Sequence, residues 1–178
     1  MWQYRLNELI NDGGKCFGRI VGVTVKMCIR VATFEDTQIV VELAIQMWES
    51  NTVEELTQEF YEYISKENGT IFLAMVDGCA VGFAQCGLRR DYVEDTDSSP
   101  VGYLESIFVK EEYRKRGLAR DMLEACQKWA KEQGCAEFAS DCELDNDDSL
   151  KFHIKMGFVE ANRIICFAKK LKDSVIGR

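Results

Sequence analysis

The residues best suited to chemistry lie where an apolar run gives way to charge: Ile107-Phe108-Val109-Lys110-Glu111-Glu112-Tyr113-Arg114-Lys115-Arg116-Gly117-Leu118-Ala119. A glycine at the entrance of a helix lets backbone N–H groups come close to a phosphate, and the helix dipole favours an anion there. Arg114 and Arg116 add charge, so Arg114-x-x-Gly117-x-Ala119 reads as a pyrophosphate cradle; a solvated basic turn is the alternative. The signatures Gly-x-x-x-x-Gly-Lys-Ser/Thr and Gly-x-Gly-x-x-Gly do not occur. Acidic side chains gather at Asp91, Glu94, Asp95 and Asp97, and again at Asp141, Glu143, Asp145, Asp147 and Asp148. The second group lacks the central glycine and the twelfth-position glutamate of a calcium loop, so it reads as an acidic helix cap and a field for a cation, with no metal site.

Elements must position these groups. Arg19 to Ala32 is rich in Ile, Val, Met and Thr and predicts a strand. Apolar residues at near-helical spacing predict helices over Glu35 to Trp48 and over Val53 to Ile64. Ile71 to Val76, Asp77-Gly78 and Ala80 to Gly87 predict a hairpin on a type I′ turn. Arg89 to Pro100 is an acidic loop, Val101 to Val109 a strand, and Lys110 to Arg116 a charged connector. Leu118, Met122, Leu123, Cys126, Trp129 and Ala130 form one apolar stripe on a helix that Gly134 stops. Cys135 to Ser140 predicts a strand, Asp147 to Met156 a short helix, and Phe158 to Lys169 a last strand or strand pair. The expected order is β-α-α-β-β-β-α-β-α-β, with room for one more strand.

Composition bounds the class. At 178 residues the chain is long enough for one domain, and 47% hydrophobic residues supply a core without staples. A net charge of −8 argues against partners that are nucleic acids or anionic membranes and suits a cationic substrate. The eight cysteines contain no Cys-x-x-Cys, which excludes zinc ribbons and thioredoxin-type motifs. Reduced thiols, no secretory leader in residues 1–15 and no apolar run of about 20 residues predict a cytoplasmic protein.

The element order and the Arg114-x-x-Gly117-x-Ala119 turn resemble the GNAT superfamily of acetyl-CoA-dependent N-acetyltransferases, whose signature is Arg/Gln-x-x-Gly-x-Gly/Ala. Asn146-Asp147-Asp148-Ser149-Leu150-Lys151-Phe152-His153-Ile154-Lys155-Met156-Gly157-Phe158 is similar to the second motif of that superfamily. Arg90-Asp91-Tyr92-Val93, Asp97-Ser98-Ser99-Pro100-Val101, Leu104-Glu105-Ser106-Ile107-Phe108-Val109 and Ala139-Ser140-Asp141 further resemble the aminoglycoside 6′-N-acetyltransferases, resistance enzymes acting on drugs such as kanamycin and tobramycin. The resemblance runs from Met27 to about Lys170 and implies an α/β GNAT fold: a mixed, mostly antiparallel sheet with one parallel pair and helices on both faces. Residues 1–26 then read as an extension dispensable for chemistry, and 27–178 as the acetyltransferase domain. Polyamine or protein-amine acetylation, and a catalytically silent acyl-CoA-binding module, are the rival readings. Related enzymes are often dimers, so a homodimer is also expected.

The implied reaction needs a neutral amine attacking the acetyl-CoA thioester, and an aliphatic ammonium is mostly protonated at pH 7, so a carboxylate beside it is wanted. Glu105, in mid-strand, and Asp141, ending the neighbouring strand, are the candidates, facing one cleft where the strands splay; a solvent-facing strand residue and a loop cap are the plain alternatives. The resemblance also implies an oxyanion-hole role for backbone N–H groups beside Ile107, Phe108 and Val109, with Lys115, Leu118, Asn146 and Ser149 on the cofactor side. Many members place a tyrosine in the second motif as the acid for the departing thiolate, whereas this chain has His153, its only histidine, which could equally be a packing residue. Trp48, Tyr92 and Asp97 are expected to line the substrate cleft.

Overall fold

The computed structural model describes residues 16–20, 23–48 and 50–170. Strands β1 (Cys16–Ile20) and β2 (Val23–Val31) lead to a short 3₁₀ turn over Phe34–Asp36 and to helices α1 (Thr37–Ala44) and α2 (Val53–Ile64). Three strands follow, β3 (Gly69–Val76), β4 (Cys79–Arg89) and β5 (Val101–Val109), then α3 (Leu118–Glu132), β6 (Phe138–Ser140) and α4 (Asp147–Lys155). All six strands form one sheet in chain order; every pair is antiparallel except β5–β6, which is parallel.

Alternation along β3 sends its side chains to two cores. Ile71 and Leu73 join Val40, Leu43, Leu56, Phe60 and Phe83 under α1 and α2. Phe72, Ala74 and Val76 join Leu104, Leu118, Met122, Leu123 and Cys126 under α3. Helices therefore cover both faces, as the fold implied. The hairpin turn has Asp77 at φ 49° and Gly78 at φ 86°, the paired positive dihedrals of a type I′ turn.

Two expectations fail at the ends. The run over Arg19 to Ala32 is not one strand: Cys16 opposes Met27 and Ile20 opposes Val23, so β1 and β2 pair with each other. Within Ile20 to Val25 the lone Gly22 among β-branched residues is the one local sign of that reversal. The strand expected over Phe158 to Lys169 is not formed; the described chain there has no regular structure, and Val159, Ile164, Ile165 and Phe167 are exposed. Strand-prone residues make a strand only where a ladder partner exists. Locally, Arg163 instead pairs with Glu160 and the Asn162 amide donates to Glu94.

The approach to α1 is fixed by charge. Asp36, only 6% exposed, accepts two 2.7 Å bonds from Arg30 as well as bonds from the Thr33 amide and hydroxyl. The Arg30 guanidinium holds the Asp36 carboxyl well below the usual carboxylate range, against the opposing effect of burial. A depressed folded-state value means that this stabilisation is present above about pH 4 and is lost as pH falls further. Asp36→Asn is expected to cost about 2 kcal/mol, discounted because Arg30 is partly exposed, and so to lower the melting temperature by roughly 4–8 °C. Thermal melts at pH 7 and pH 3 check this: the gap between variant and wild type should narrow in acid.

Candidate active site

Strand β5 is irregular at its most polar residue. Gln85 of β4 opposes Ser106 and Cys86 opposes Leu104, which leaves Glu105 as the extra residue of a β-bulge. Bulges re-aim side chains, and this one frees Glu105 from the ladder. Gly87 makes room for it: a Cβ there would lie 2.8 Å from the Tyr63 hydroxyl and 3.2 Å from Glu105 Oε1. The Tyr63 hydroxyl is enclosed and has no well-formed hydrogen-bond partner among the described residues. Burial, then the nearby Glu105 charge, pushes its ionisation far above the usual tyrosine range.

The parallel pairing ends at Leu104 and Ser140, while β5 runs on to Val109, so the two strands part company just past Glu105. The Lys110 N–H donates to Val81 O on the β4 side. By the alternation of a strand, the Val109 and Ile107 N–H groups point the other way, along the edge that β6 leaves uncovered. Asp141 follows directly after β6 and accepts a hydrogen bond from the Tyr103 hydroxyl. Burial, then Asp141, raises the Tyr103 value as well.

Arg89, at the end of β4, pairs with Glu105 and covers the ring of Tyr103. Its Nη2 lies 2.7 Å from Glu105 Oε2 and its Nε 3.3 Å from Oε1, while the guanidinium sits 3.3 Å from the centre of the Tyr103 ring. Burial opposes the charge of Arg89, and Glu105 outweighs that effect and holds its value above the ordinary one.

At the turn after β5, Arg114 Nε donates to Val109 O at 3.0 Å and Arg116 Nη2 to Glu112 O at 2.7 Å, so both side chains brace the turn. Lys115 at φ 62° and Gly117 at φ 90° give it two left-handed residues. Helix α3 has Gly117 as N-cap, and its first backbone bond runs from Asp121 N to Gly117 O. The amides of Leu118 and Ala119 are consequently without intrahelical partners. Uncapped amides beside a residue with no Cβ fit a pyrophosphate, and the open β5 edge fits an extended acyl-carrying arm.

In the second motif, Asn146 caps α4 by accepting the Ser149 N–H. His153 Nδ1 is 2.7 Å from the Ser149 carbonyl, an acceptor only, so this nitrogen carries hydrogen; Nε2 is 2.9 Å from Ser140 Oγ. Ser140 Oγ in turn reaches Leu104 O at 3.0 Å, which ties α4 to the point where the strands part. The ring packs edge-on against Phe152 and Phe158. The packing role of His153 is therefore present, and its bond to Ser140 holds the ring beside the point where the strands part.

The expected cleft-lining residues are dispersed. Trp48 lies against the core, stacked on Phe60 and edge-on to Phe83. Tyr92 is 81% exposed and donates to Glu94. Asp97 contributes its backbone N–H to Glu137, which also accepts the Ser98 amide and hydroxyl and so pins the acidic loop to the start of β6. Buried Val93 anchors the loop over Tyr103. The sequence reading missed Arg89, Tyr103, Glu137 and Ser140; an arginine and a tyrosine flanking an acidic loop were the only local hint.

The acetyltransferase (GNAT) family model matches residues 37–158. The aminoglycoside N(6′)-acetyltransferase type 1 of Serratia marcescens is 39% identical over 130 residues, 72% of this chain and 89% of that protein. The protein of the same name from Stenotrophomonas maltophilia is 38% identical over 149 residues, 82% of this chain and 95% of its own length. Among solved structures, the aminoglycoside N-acetyltransferase AAC(6′)-Iy in complex with CoA aligns at a TM-score of 0.82 with 36% identity, covering 85% of this chain and 100% of that one. The same enzyme in complex with the bisubstrate analog CoA-S-monomethyl-acetylneamine aligns at 0.79 with 36% identity over 82% and 99% of the two chains.

Proposed function

The chain belongs to the acetyltransferase (GNAT) family, and we infer that it transfers an acetyl group from acetyl-CoA to the 6′-amine of aminoglycoside antibiotics. The observation that carries this reading is the 39% identity to an aminoglycoside N(6′)-acetyltransferase over 89% of that protein's length. The acidic cleft mouth, where Glu105 and Asp141 flank the parting strands, supports it, because these drugs carry several ammonium groups. Acetyl-CoA supplies the activated thioester.

The chain's own residues divide the remaining work. The backbone of Arg114 to Ala119 holds the pyrophosphate, and the Ile107 and Val109 amides, flanking Phe108, polarise the thioester carbonyl. Glu105 receives the ammonium and takes its proton, directly or through water, while Asp141 holds a positive group of the substrate. Asn146 and Ser149 set the entry of α4 beside the cofactor. His153, in contact with Ser140, is the candidate acid for the leaving thiolate. Tyr92 and Asp97, on the acidic loop, are the remaining candidates for the drug side, while Trp48 packs on Phe60 and Phe83. A thiol-release assay with acetyl-CoA tests the assignment: turnover is expected with kanamycin and not with spermidine or a lysine peptide, and a preference for either of the latter would sink it.

Among the described residues no helix is long and apolar enough to cross a membrane. The free thiols of Cys86, Cys126 and Cys135 within the fold support a reducing, cytoplasmic setting. A homodimer is supported by the apolar stretch after α4, where Phe167 is 92% exposed, lying next in sequence to the edge strand and helix that end the sheet. Light scattering on the eluted protein measures it directly.

Residues 1–26 are proposed to be dispensable for chemistry; of these, 1–15 and 21–22 lie outside the described residues. The ladder between β2 and β3 begins at Met27, opposite Val76, so a chain starting at Met27 keeps it whole. Such a chain is expected to retain its turnover number, and loss of turnover in a still-folded protein would make the segment part of the site.

A further inference from the structure

Neither amine chemistry nor pyrophosphate binding calls for a cation on Glu105, yet one is there. Arg89 makes a two-point contact with Glu105, at 2.7 and 3.3 Å, and lies over the ring of Tyr103, whose hydroxyl donates to Asp141. We propose that Arg89 is a resident competitor for the place at Glu105 that the substrate's ammonium takes, and thereby a determinant of which amines the site accepts. This rests on the aminoglycoside reading above.

The geometry gives the competition a direction. Glu105 is 27% exposed and held by the bulge beside Gly87 and Tyr63, whereas Arg89, at 42%, is the more exposed partner. The member able to leave is therefore the guanidinium. An exposed ion pair of this kind is weak, so little opposes its opening. Arg89 also keeps a second station when displaced, because a guanidinium on an aromatic face needs no carboxylate. Glu105 and Asp141 together carry two negative charges and Arg89 returns one positive charge. A simple monoamine that displaces Arg89 exchanges one cation for another and gains almost nothing. A substrate with several ammonium groups also reaches the acidic loop, where Asp91, Glu94 and Asp95 are exposed. Arg89 thus raises the threshold that a lone amine must overcome.

Replacement of the charge separates this role from a structural one. Arg89→Gln keeps hydrogen-bonding capacity and is expected to tighten kanamycin binding, and to lower its KM, by up to about fivefold. Arg89→Lys keeps a cation on a flexible stem and is expected not to lower KM. Kanamycin binding by calorimetry, run on all three folded proteins, decides the matter independently of turnover. Unchanged or weaker binding in Arg89→Gln overturns the competition, and so does equal tightening in Arg89→Lys. Failure of the wild type to acetylate kanamycin would instead remove the aminoglycoside reading.

Discussion

Gly117→Val is expected to abolish measurable CoA binding in a protein that still melts cooperatively. Gly117 stands at φ 90°, ψ −10° as the N-cap of α3, a left-handed conformation that an L side chain adopts only at a cost of roughly 1–2 kcal/mol, somewhat more when β-branched. That strain is affordable for a chain of this size. The space is not the obstacle to folding either, since the nearest atom to an added Cβ is Arg120 Nη2 at 3.3 Å, the movable end of a long side chain. What the branched methyls do cover is the approach to the Leu118 and Ala119 amides. Losing two charge-assisted hydrogen bonds, at about 1.5–3 kcal/mol each, weakens the complex on the order of a hundredfold or more. Gly117→Ala separates the two effects, because it carries the same backbone strain with no branch over the amides, and it should keep most of the affinity. Calorimetry that finds CoA bound as tightly by Gly117→Val as by the wild type removes the pyrophosphate assignment.

The parts legible in the sequence are those written in neighbouring residues. Asp77-Gly78 announces its turn because both dihedrals are positive, Gly134 at φ 87° stops α3, and the apolar run Val101 to Val109 is a strand from end to end. The Gly117 turn belongs to the same class, being a local backbone requirement. The remainder of the site depends on register. Arg89, Tyr103 and Asp141 come from β4, β5 and the end of β6, and the Tyr103–Asp141 bond spans 38 positions. No pattern in the amino acids marks Glu105 as the bulged residue; it becomes special only because Cys86 pairs with Leu104 and Gln85 with Ser106. The failed strand after Phe158 makes the converse point, since Ile164-Ile165-Cys166-Phe167 has the propensity of a strand and no partner among the described residues.

Glu105→Gln and Asp141→Asn should fail in different ways. Each amide keeps the size of its carboxylate and removes the charge, which isolates electrostatics from packing. Glu105 sits on β5 two residues before the Ile107 amide, where the strand edge opens, and is the carboxylate nearer in sequence to that edge. Its loss removes a proton acceptor, which typically costs 10²–10⁴ in rate, so kcat falls by far more than KM rises. Asp141 lies past the end of β6 and is already engaged by the Tyr103 hydroxyl, a contact that spends part of its accepting capacity on orientation. An attraction that acts equally on ground state and transition state shows in KM, so Asp141→Asn raises KM for kanamycin with a smaller effect on kcat. Both variants bind CoA normally, because the pyrophosphate rests on the α3 amides and no carboxylate takes part there. Glu105→Gln also frees the Arg89 guanidinium, adding an uncompensated positive charge at the mouth of the cleft; removing Arg89 in the same chain should then recover part of any lost kanamycin affinity but none of the lost kcat. Steady-state kinetics on the two single variants and the double variant read these quantities separately. Wild-type kcat in Glu105→Gln would move the base elsewhere, and the exposed carboxylates of the Asp91 to Asp97 loop would be the next to replace.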